Sequence, residues 1–112
     1  MDQRKIKKII NFLKDALQEK RVEAEKIIVF GSQIQGTAAE DSDLDVIVIS
    51  QMFTGKDIFQ RAEMINGVLS KVIQEFMVPL DLMMMSPEEW KKGTSLIAQF
   101  AREGEVFYPK SG

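Results

Sequence analysis

The sequence predicts an α/β (α+β) fold in which a small mixed β-sheet is flanked by helices. Short runs of β-branched and aromatic residues alternate along the chain with longer segments whose apolar residues recur at helical spacing. The 112 residues are enough for one compact domain and too few for two ordinary ones. With 45% apolar and 29% charged residues, the composition is that of a folded globular protein. We therefore expect residues 1–112 to form a single domain.

The first half of the chain contains one predicted helix and two predicted strands. Apolar residues at helical spacing, separated by charged ones, predict an amphipathic helix over roughly residues 3–20. The run 27–30 is short, β-branched and aromatic, which is typical of a buried strand. Residues 36–42 have the composition of a loop, and the apolar run 44–49 that follows them predicts the second strand.

The second half begins with a long predicted helix. Thr54 with Asp57 resembles a capping box, and an apolar face continues from there to about residue 77. Gly67 weakens this helix without interrupting the pattern. The apolar residues of the face are Ile58, Ala62, Ile65, Leu69, Val72, Ile73 and Phe76.

A third strand and a last helix complete the predicted elements. Pro79 permits only an edge or early-strand position, and we expect the strand over 80–85. Ser86, Pro87 and Glu89 combine an N-cap, a first-turn proline and a capping box, so a helix begins there. The remaining packing residues are Trp90, Leu96, Ile97, Phe100 and Ala101, with an interruption near Gly93 and a terminator at Gly104 before Val106.

The composition excludes several classes of function. The chain has no Cys and no His, which removes disulfides, thiolate and imidazole nucleophiles and the usual zinc ligands. Its net charge is only -2, so the broad positive field of a protein that grips extended nucleic acid is missing. The N-terminal segment is charged and no apolar run approaches the length of a membrane span. We expect a soluble, cytoplasmic protein with no membrane partner.

Two aspartates are the main candidates for chemistry. Successive side chains of a strand point to opposite faces, so Asp43 and Asp45 project together from one face of the second strand. Paired carboxylates repel one another unless a cation neutralises them, and Mg²⁺ prefers carboxylate and phosphate oxygens. A metal ion with a phosphate ligand is therefore the natural completion of this pair.

Gly31 and Ser32 form the second part of the candidate site. They follow the first strand at a predicted strand-to-helix turn, where Gly31 permits close backbone approach. Free amides and the Ser32 hydroxyl can hold phosphate oxygens there. A Gly-Ser pair or an Asp-x-Asp triplet alone is commonplace. The two parts are separated by ten residues and flanked by apolar strands, and together they are much more specific.

Three short segments combine into a pattern that points to one family. They are Phe30-Gly31-Ser32, Gly36-Thr37-Ala38 and Asp41-Ser42-Asp43-Leu44-Asp45-Val46. This pattern resembles the minimal nucleotidyltransferases of the DNA polymerase beta superfamily, whose signature is Gly-Ser, ten residues and Asp-x-Asp. The first helix, the aspartate of the third strand and the terminal Gly-x-Val-x-Tyr-like segment also fit. The resemblance implies a polymerase-beta-like nucleotidyltransferase fold.

The resemblance also implies roles for individual residues. ATP or another nucleoside triphosphate would bind through Mg²⁺, with two ions expected, at Asp43 and Asp45, while Gly31 and Ser32 hold the nucleotide. Asp81 would be a third carboxylate that assists metal binding and activates the acceptor hydroxyl. That hydroxyl would attack the α-phosphate in line as pyrophosphate leaves. From the residues alone, a surface aspartate at a strand edge is nearly as good an interpretation of Asp81.

One departure from the family concerns its arginines. Relatives often have arginines soon after the Gly-Ser pair, where this chain has Gln33 and Gln35, and often another where it has Ala39. Gln donates hydrogen bonds but supplies no positive charge. The departure leaves three consequences open: weak nucleotide binding, use of a partner's cations, or loss of activity.

The expected partner also follows from the resemblance. Family members of this size often pair with a small all-helical HEPN protein as antitoxin and toxin, and some transfer AMP to a tyrosine of that partner. The resemblance thus implies an AMP-transferring antitoxin. The alternatives are a non-catalytic antitoxin that neutralises its partner by binding, and an enzyme that modifies a small hydroxylated molecule or an RNA end.

An apolar surface beside the aspartates has two interpretations. Ile47 and Ile49 lie on the Asp45 side of their strand, and Met83 and Met85 lie on the side of the third-strand aspartate. Either the C-terminal helix covers these residues as ordinary core, or another subunit does, in a homo-oligomer or a complex with the partner.

Overall fold

Four strands and four helices lie within residues 1–30, 43–93 and 102–109, which are the residues that the computed structural model describes. A short 3-10 turn, Gln51–Phe53, is also present. The helices are α1 (Gln3–Glu19), α2 (Ile58–Met64), α3 (Val68–Phe76) and α4 (Pro87–Lys92). The strands are β1 (Lys26–Phe30), β2 (Leu44–Ile49), β3 (Leu80–Met85) and β4 (Glu105–Tyr108). The predicted α/β class is confirmed.

The strands form one mixed sheet in the order β3-β2-β1-β4. β1 pairs antiparallel with both β2 and β4, whereas β2 and β3 are parallel. Among the described strands, β3 lies at an edge. This agrees with the prediction that Pro79, which immediately precedes the strand, permits only an edge or early-strand position. The central position of β2 means that its main chain is bonded on both sides.

One face of the sheet packs against α1 and α3. The apolar stripe of α1 is buried here, together with Leu44, Val46 and Val48 of β2. Phe12 of α1 and Phe76 of α3 meet edge to face, with ring centroids 5.5 Å apart. Burial of each large aliphatic side chain contributes about 1.5 to 3 kcal/mol, so this face supplies most of the stability of the fold.

The opposite face carries a smaller apolar cluster. Ile28, Ile47 and Ile49 are almost completely buried there. Met85 of β3 and Trp90 of α4 pack against them. This burial favours the first interpretation of the surface, in which it is ordinary core that α4 helps to cover. It does not require a second subunit to cover the surface.

The prediction of one continuous helix to about residue 77 is wrong. The helix is interrupted between α2 and α3, where Gly67 has φ of 86° and forms the N-cap of α3. This left-handed conformation is open to glycine and cannot continue an α-helix. Ile58, expected on the buried face, is 70% exposed. The periodic pattern predicted one helix because Ile65 and Val68, on either side of the break, are both buried in the same core.

The helix starts were predicted with mixed success. Asp57 is the N-cap of α2 and forms a capping box with Gln60, so Thr54 is not part of the cap. The second capping box was predicted correctly. The Ser86 hydroxyl accepts the N–H of Glu89, and the Glu89 carboxylate accepts the N–H of Ser86.

α4 ends at Gly93, near the predicted interruption, in a left-handed conformation with φ of 57°. The guanidinium of Arg102 donates to the carbonyls of Trp90 and Lys91 at 3.2 and 3.3 Å, which satisfies the last turn of the helix. The predicted packing residues Leu96, Ile97, Phe100 and Ala101 lie outside the described residues. Within the described ranges, no helix has both the length and the apolar character needed to cross a bilayer.

Candidate functional site

The parallel pairing of β2 and β3 places two of the predicted carboxylates at neighbouring positions. Asp45 and Asp81 are register partners, and adjacent strands of a sheet lie about 4.8 Å apart. Partners on parallel strands project from the same face. Both carboxylates therefore lie on the face that carries Ile47 and Met83, away from α1 and α3.

Asp43 adds a third carboxylate at the same end of the sheet, since it precedes β2 by one residue and shares the face of Asp45. Burial raises the pKa of Asp45 above its ordinary value, and the negative charges of Asp81 and Asp43 raise it further. Asp45 is half-buried, whereas Asp43 and Asp81 are exposed. A cation would stabilise such a group of like charges.

Phe30 forms the apolar side of this group. It pairs with Asp45 across the antiparallel β1 and β2 strands, an arrangement in which Cβ atoms lie about 5 Å apart. It also packs against the apolar cluster of this face. The sequence did not identify Phe30 as a neighbour of Asp45, because that contact depends on the register between two strands and no pattern within either strand gives it.

The predicted nucleotide-binding residues Gly31 and Ser32 lie outside the described residues, as do Gln33, Gln35 and Ala39. The first described range ends at Phe30, which lies opposite Asp45. β1 thus ends beside the carboxylates.

The donor set of the site fits a hard divalent cation. All three side chains offer carboxylate oxygens, which are the ligands that Mg²⁺ prefers. Among the described residues, no three His, Cys, Asp or Glu side chains are gathered into a complete metal-binding group. Mg²⁺ commonly uses one or two carboxylates and completes its coordination with water and substrate phosphate, so a nucleotide site does not require such a group.

The comparison with protein families gives a direct result. The sequence profile of the nucleotidyltransferase domain matches residues 6–106. The chain belongs to this family. The match spans the whole sheet except the last two residues of β4, and it confirms the resemblance that the sequence pattern indicated. A search of curated proteins finds no match to this nucleotidyltransferase domain.

Solved structures share the fold of this nucleotidyltransferase domain. A protein from Sulfolobus solfataricus, described as a nucleotidyltransferase, is 18% identical with a TM-score of 0.57, over 96% of this chain and 89% of its own. A toxin-antitoxin structure with AMP-PNP is 20% identical with a TM-score of 0.63, over 90% and 73%. A mutant of the MntA-HpeT toxin-antitoxin is 19% identical with a TM-score of 0.60, over 93% and 72%. At these identities, the likeness shows the fold alone.

Proposed function

We propose that residues 1–112 form a single Mg²⁺-dependent nucleotidyltransferase domain that transfers AMP from ATP to a hydroxyl of a partner protein. The favoured acceptor is a tyrosine of a HEPN-type toxin, for which this chain would be the antitoxin. The observation that carries the proposal is the pairing of Asp45 with Asp81, beside Asp43, in a nucleotidyltransferase domain. The likeness to two toxin-antitoxin structures, one of them with AMP-PNP, supports the choice of partner and nucleotide.

The carboxylates have different roles in this proposal. Asp43 and Asp45 would hold Mg²⁺, and Asp81 would help to hold it. The ion, when bound, supplies positive charge that the nucleotide phosphates require as pyrophosphate leaves. Asp81 is exposed, so an acceptor hydroxyl can reach it and lose its proton to it. Gly31 and Ser32 would bind phosphate oxygens through main-chain amides and the hydroxyl.

A second candidate function rests on a specific departure from the family. Gln33, Gln35 and Ala39 stand where relatives often carry arginines. Without those cations the triphosphate loses charge-assisted hydrogen bonds. A protein that has lost catalysis and neutralises its partner by binding would tolerate this loss, with the aspartates as remnants of the site.

The test is transfer of label from α-labelled ATP to the copurifying partner in the presence of Mg²⁺. We expect labelled partner with the native chain and none with Asp43→Asn, Asp45→Asn or Asp81→Asn. Asp15→Asn is the matched control, because Asp15 is exposed on α1, on the far side of the sheet. Label should persist in this control.

Two other outcomes are informative. A stable complex without label under any condition would exclude transfer to the partner and support the binding antitoxin. Label that persists in all three site variants would contradict the assignment of the carboxylates.

A further inference from the structure

Met77 combines two features that are unfavourable in the free protein. It is the C-cap of α3 and has φ of 56°, in the left-handed region that glycine or asparagine usually occupies at the end of a helix. Its side chain is also 81% exposed. Arg21 has a similar φ of 61°, but a charged side chain favours contact with water. Among the described residues, Met77 alone joins a left-handed backbone to a large exposed apolar side chain.

The fold requires the conformation of Met77 but not its side chain. The Met77 N–H donates to the Ile73 carbonyl at 2.7 Å, which closes the last turn of α3. The next residue, Val78, is buried, so the chain reverses at Met77 to enter β3. Glycine would make the same turn without strain and without exposed apolar surface. A contact made outside the free chain would account for the methionine.

A second exposed apolar side chain adjoins Met77. Ile73 lies four residues earlier, which is one helical turn, and is 39% exposed. The hydrogen bond between the two main chains holds these residues side by side, and we call Ile73 and Met77 the α3 patch. Single exposed apolar residues are ordinary in proteins, whereas a strained residue within such a pair calls for a physical cause.

The α3 patch lies at the carboxylate end of the sheet. The Pro79 carbonyl, two residues after Met77, accepts the N–H of Leu44 at 2.9 Å. Leu44 directly follows Asp43. Asp81 is four residues after Met77, so an extended chain separates their Cα atoms by about 14 Å at most. A protein that places a hydroxyl at Asp81 therefore comes within reach of the α3 patch.

We propose that the α3 patch binds an apolar surface of the protein whose hydroxyl accepts the nucleotide. The inference rests on the proposed function and adds to it a contact that holds the acceptor protein. Asp81, which would take the proton of the acceptor, lies on β3. The proposed phosphate contacts, Gly31 and Ser32, follow β1, on the other side of β2. The patch leads into β3 and is therefore on the acceptor side of the site.

The chemistry of the patch fits a protein acceptor better than an RNA end. Residues 72–81 contain two carboxylates, Glu75 and Asp81, and no cation. Both carboxylates are exposed. RNA binding depends on cations that neutralise phosphates, and this segment supplies none. An apolar protein surface, in contrast, gains free energy when it removes the two patch side chains from water.

The first test measures the strain in the free chain. Met77→Gly should raise Tm by about 4 °C in thermal melts by circular dichroism, because glycine adopts the left-handed conformation without strain. Arg21→Gly relieves the same conformation after α1 and should raise Tm by a similar amount. A Tm of Met77→Gly that is equal to or below that of the native chain would show that Met77 costs no stability, and would overturn the proposal.

The second test uses the copurifying partner protein as the probe. Surface plasmon resonance gives the Kd of its complex with this chain, and transfer of label from α-labelled ATP gives kcat and KM. Met77→Gly and Met77→Asn should each raise Kd, and KM for the partner, about tenfold, because a buried apolar side chain is lost. KM for ATP and kcat should change less than twofold, since the contact is the same before and in the transition state.

Two substitutions are matched controls for the second test. Arg21→Gly shares the backbone change of Met77→Gly. Phe59→Gln removes an apolar side chain that is also 81% exposed. Phe59 lies on α2, which lines a cavity with Met85 at the end of β3 that is far from the carboxylates. Both controls should change Kd and KM for the partner less than twofold.

The outcomes separate this proposal from the proposed transfer reaction. Label that reaches the partner with native Kd and KM in Met77→Gly would overturn the α3 patch and leave the transfer reaction standing, as would an equal loss in Phe59→Gln. A rise in KM for ATP alone would assign the patch to the nucleotide, and dimers that Met77→Asn abolishes would assign it to a second copy. Both results overturn the proposal. Weaker partner binding in Met77→Gly, without label even in the native chain, would refute transfer and support the patch as a partner-binding surface.

Discussion

Replacement of Asp45 by Asn should stabilise the protein while it removes the proposed activity. Asp45 and Asp81 occupy partner positions on adjacent strands. At a charge separation of about 6 Å, two carboxylates repel by about 0.7 kcal/mol in water and about 2.8 kcal/mol at an effective dielectric constant near 20. Asp81 is exposed and Asp45 only half-buried, so the smaller figure is the better guide. We expect Asp45→Asn to gain about 1 kcal/mol, or about 4 °C in Tm for a domain of this size.

The gain should depend on pH. Burial, and to a smaller extent the charges of Asp81 and Asp43, raise the pKa of Asp45 on folding, so the ionised carboxylate weakens the folded state most at pH values above the folded pKa. At about pH 3, below the unfolded pKa of an aspartate, Asp45 is protonated in both states and the advantage of Asp45→Asn should disappear. Thermal melts by circular dichroism, in EDTA at pH 7 and pH 3, test this, with Asp15→Asn as the control. A variant that melts no higher than the native chain at pH 7, or a gain that persists at pH 3, would refute the reasoning.

Three further substitutions have defined outcomes. Leu13→Ala removes a completely buried side chain of α1 and should lower the free energy of unfolding by about 3 kcal/mol in urea titrations, and a loss below about 1 would contradict its core position. Gly93→Ala strains a left-handed residue and places a methyl group against the Arg102 guanidinium, so Tm should fall by an amount equivalent to about 1 to 2 kcal/mol. Arg61→Gln should cost about 1 to 2 kcal/mol near pH 7, because Glu89 is left without its cation and is itself 46% exposed. Burial raises the pKa of Glu89, but hydrogen bonds from a capping amide and from Arg61 lower it overall. The stability lost in Arg61→Gln should therefore shrink as the pH falls through the pKa of Glu89. A loss that does not change with pH would argue against the ion pair.

Local patterns predicted three of the four described strands, and β4 (Glu105–Tyr108) was not predicted. The range of β2 followed from a short apolar run, and that of β3 from a proline and the capping box that begins directly after it. Alternation along β2 also gave the correct division of its side chains, with Val46 and Val48 in the main core and Ile47 and Ile49 in the smaller one. These features depend on neighbours in the sequence, and such neighbours are visible without a structure.

Features that depend on distant contacts were not predictable in the same way. The alignment of Asp45 with Asp81 requires the register between two parallel strands that are separated by a helical region. The break at Gly67 was missed because periodicity reports which residues face the core, and it does not report whether one helix or two deliver them. Arg61 looks like any polar residue of a surface helix, and its burial follows from the meeting of α2, β3 and α4. Gly31 and Ser32 remain predictions from the motif.

The dual use of β2 restricts how a protein of this kind can evolve. Its alternate residues serve the core and the carboxylate face, and its main chain is bonded on both sides. A deletion or insertion of one residue within β2 would turn its valines toward the carboxylate face and direct Asp45 into the core. Length changes are therefore tolerated only outside the strand. New acceptors and partners would be acquired through the connecting segments and the sheet edges, while β2 itself stays constant in length and pattern.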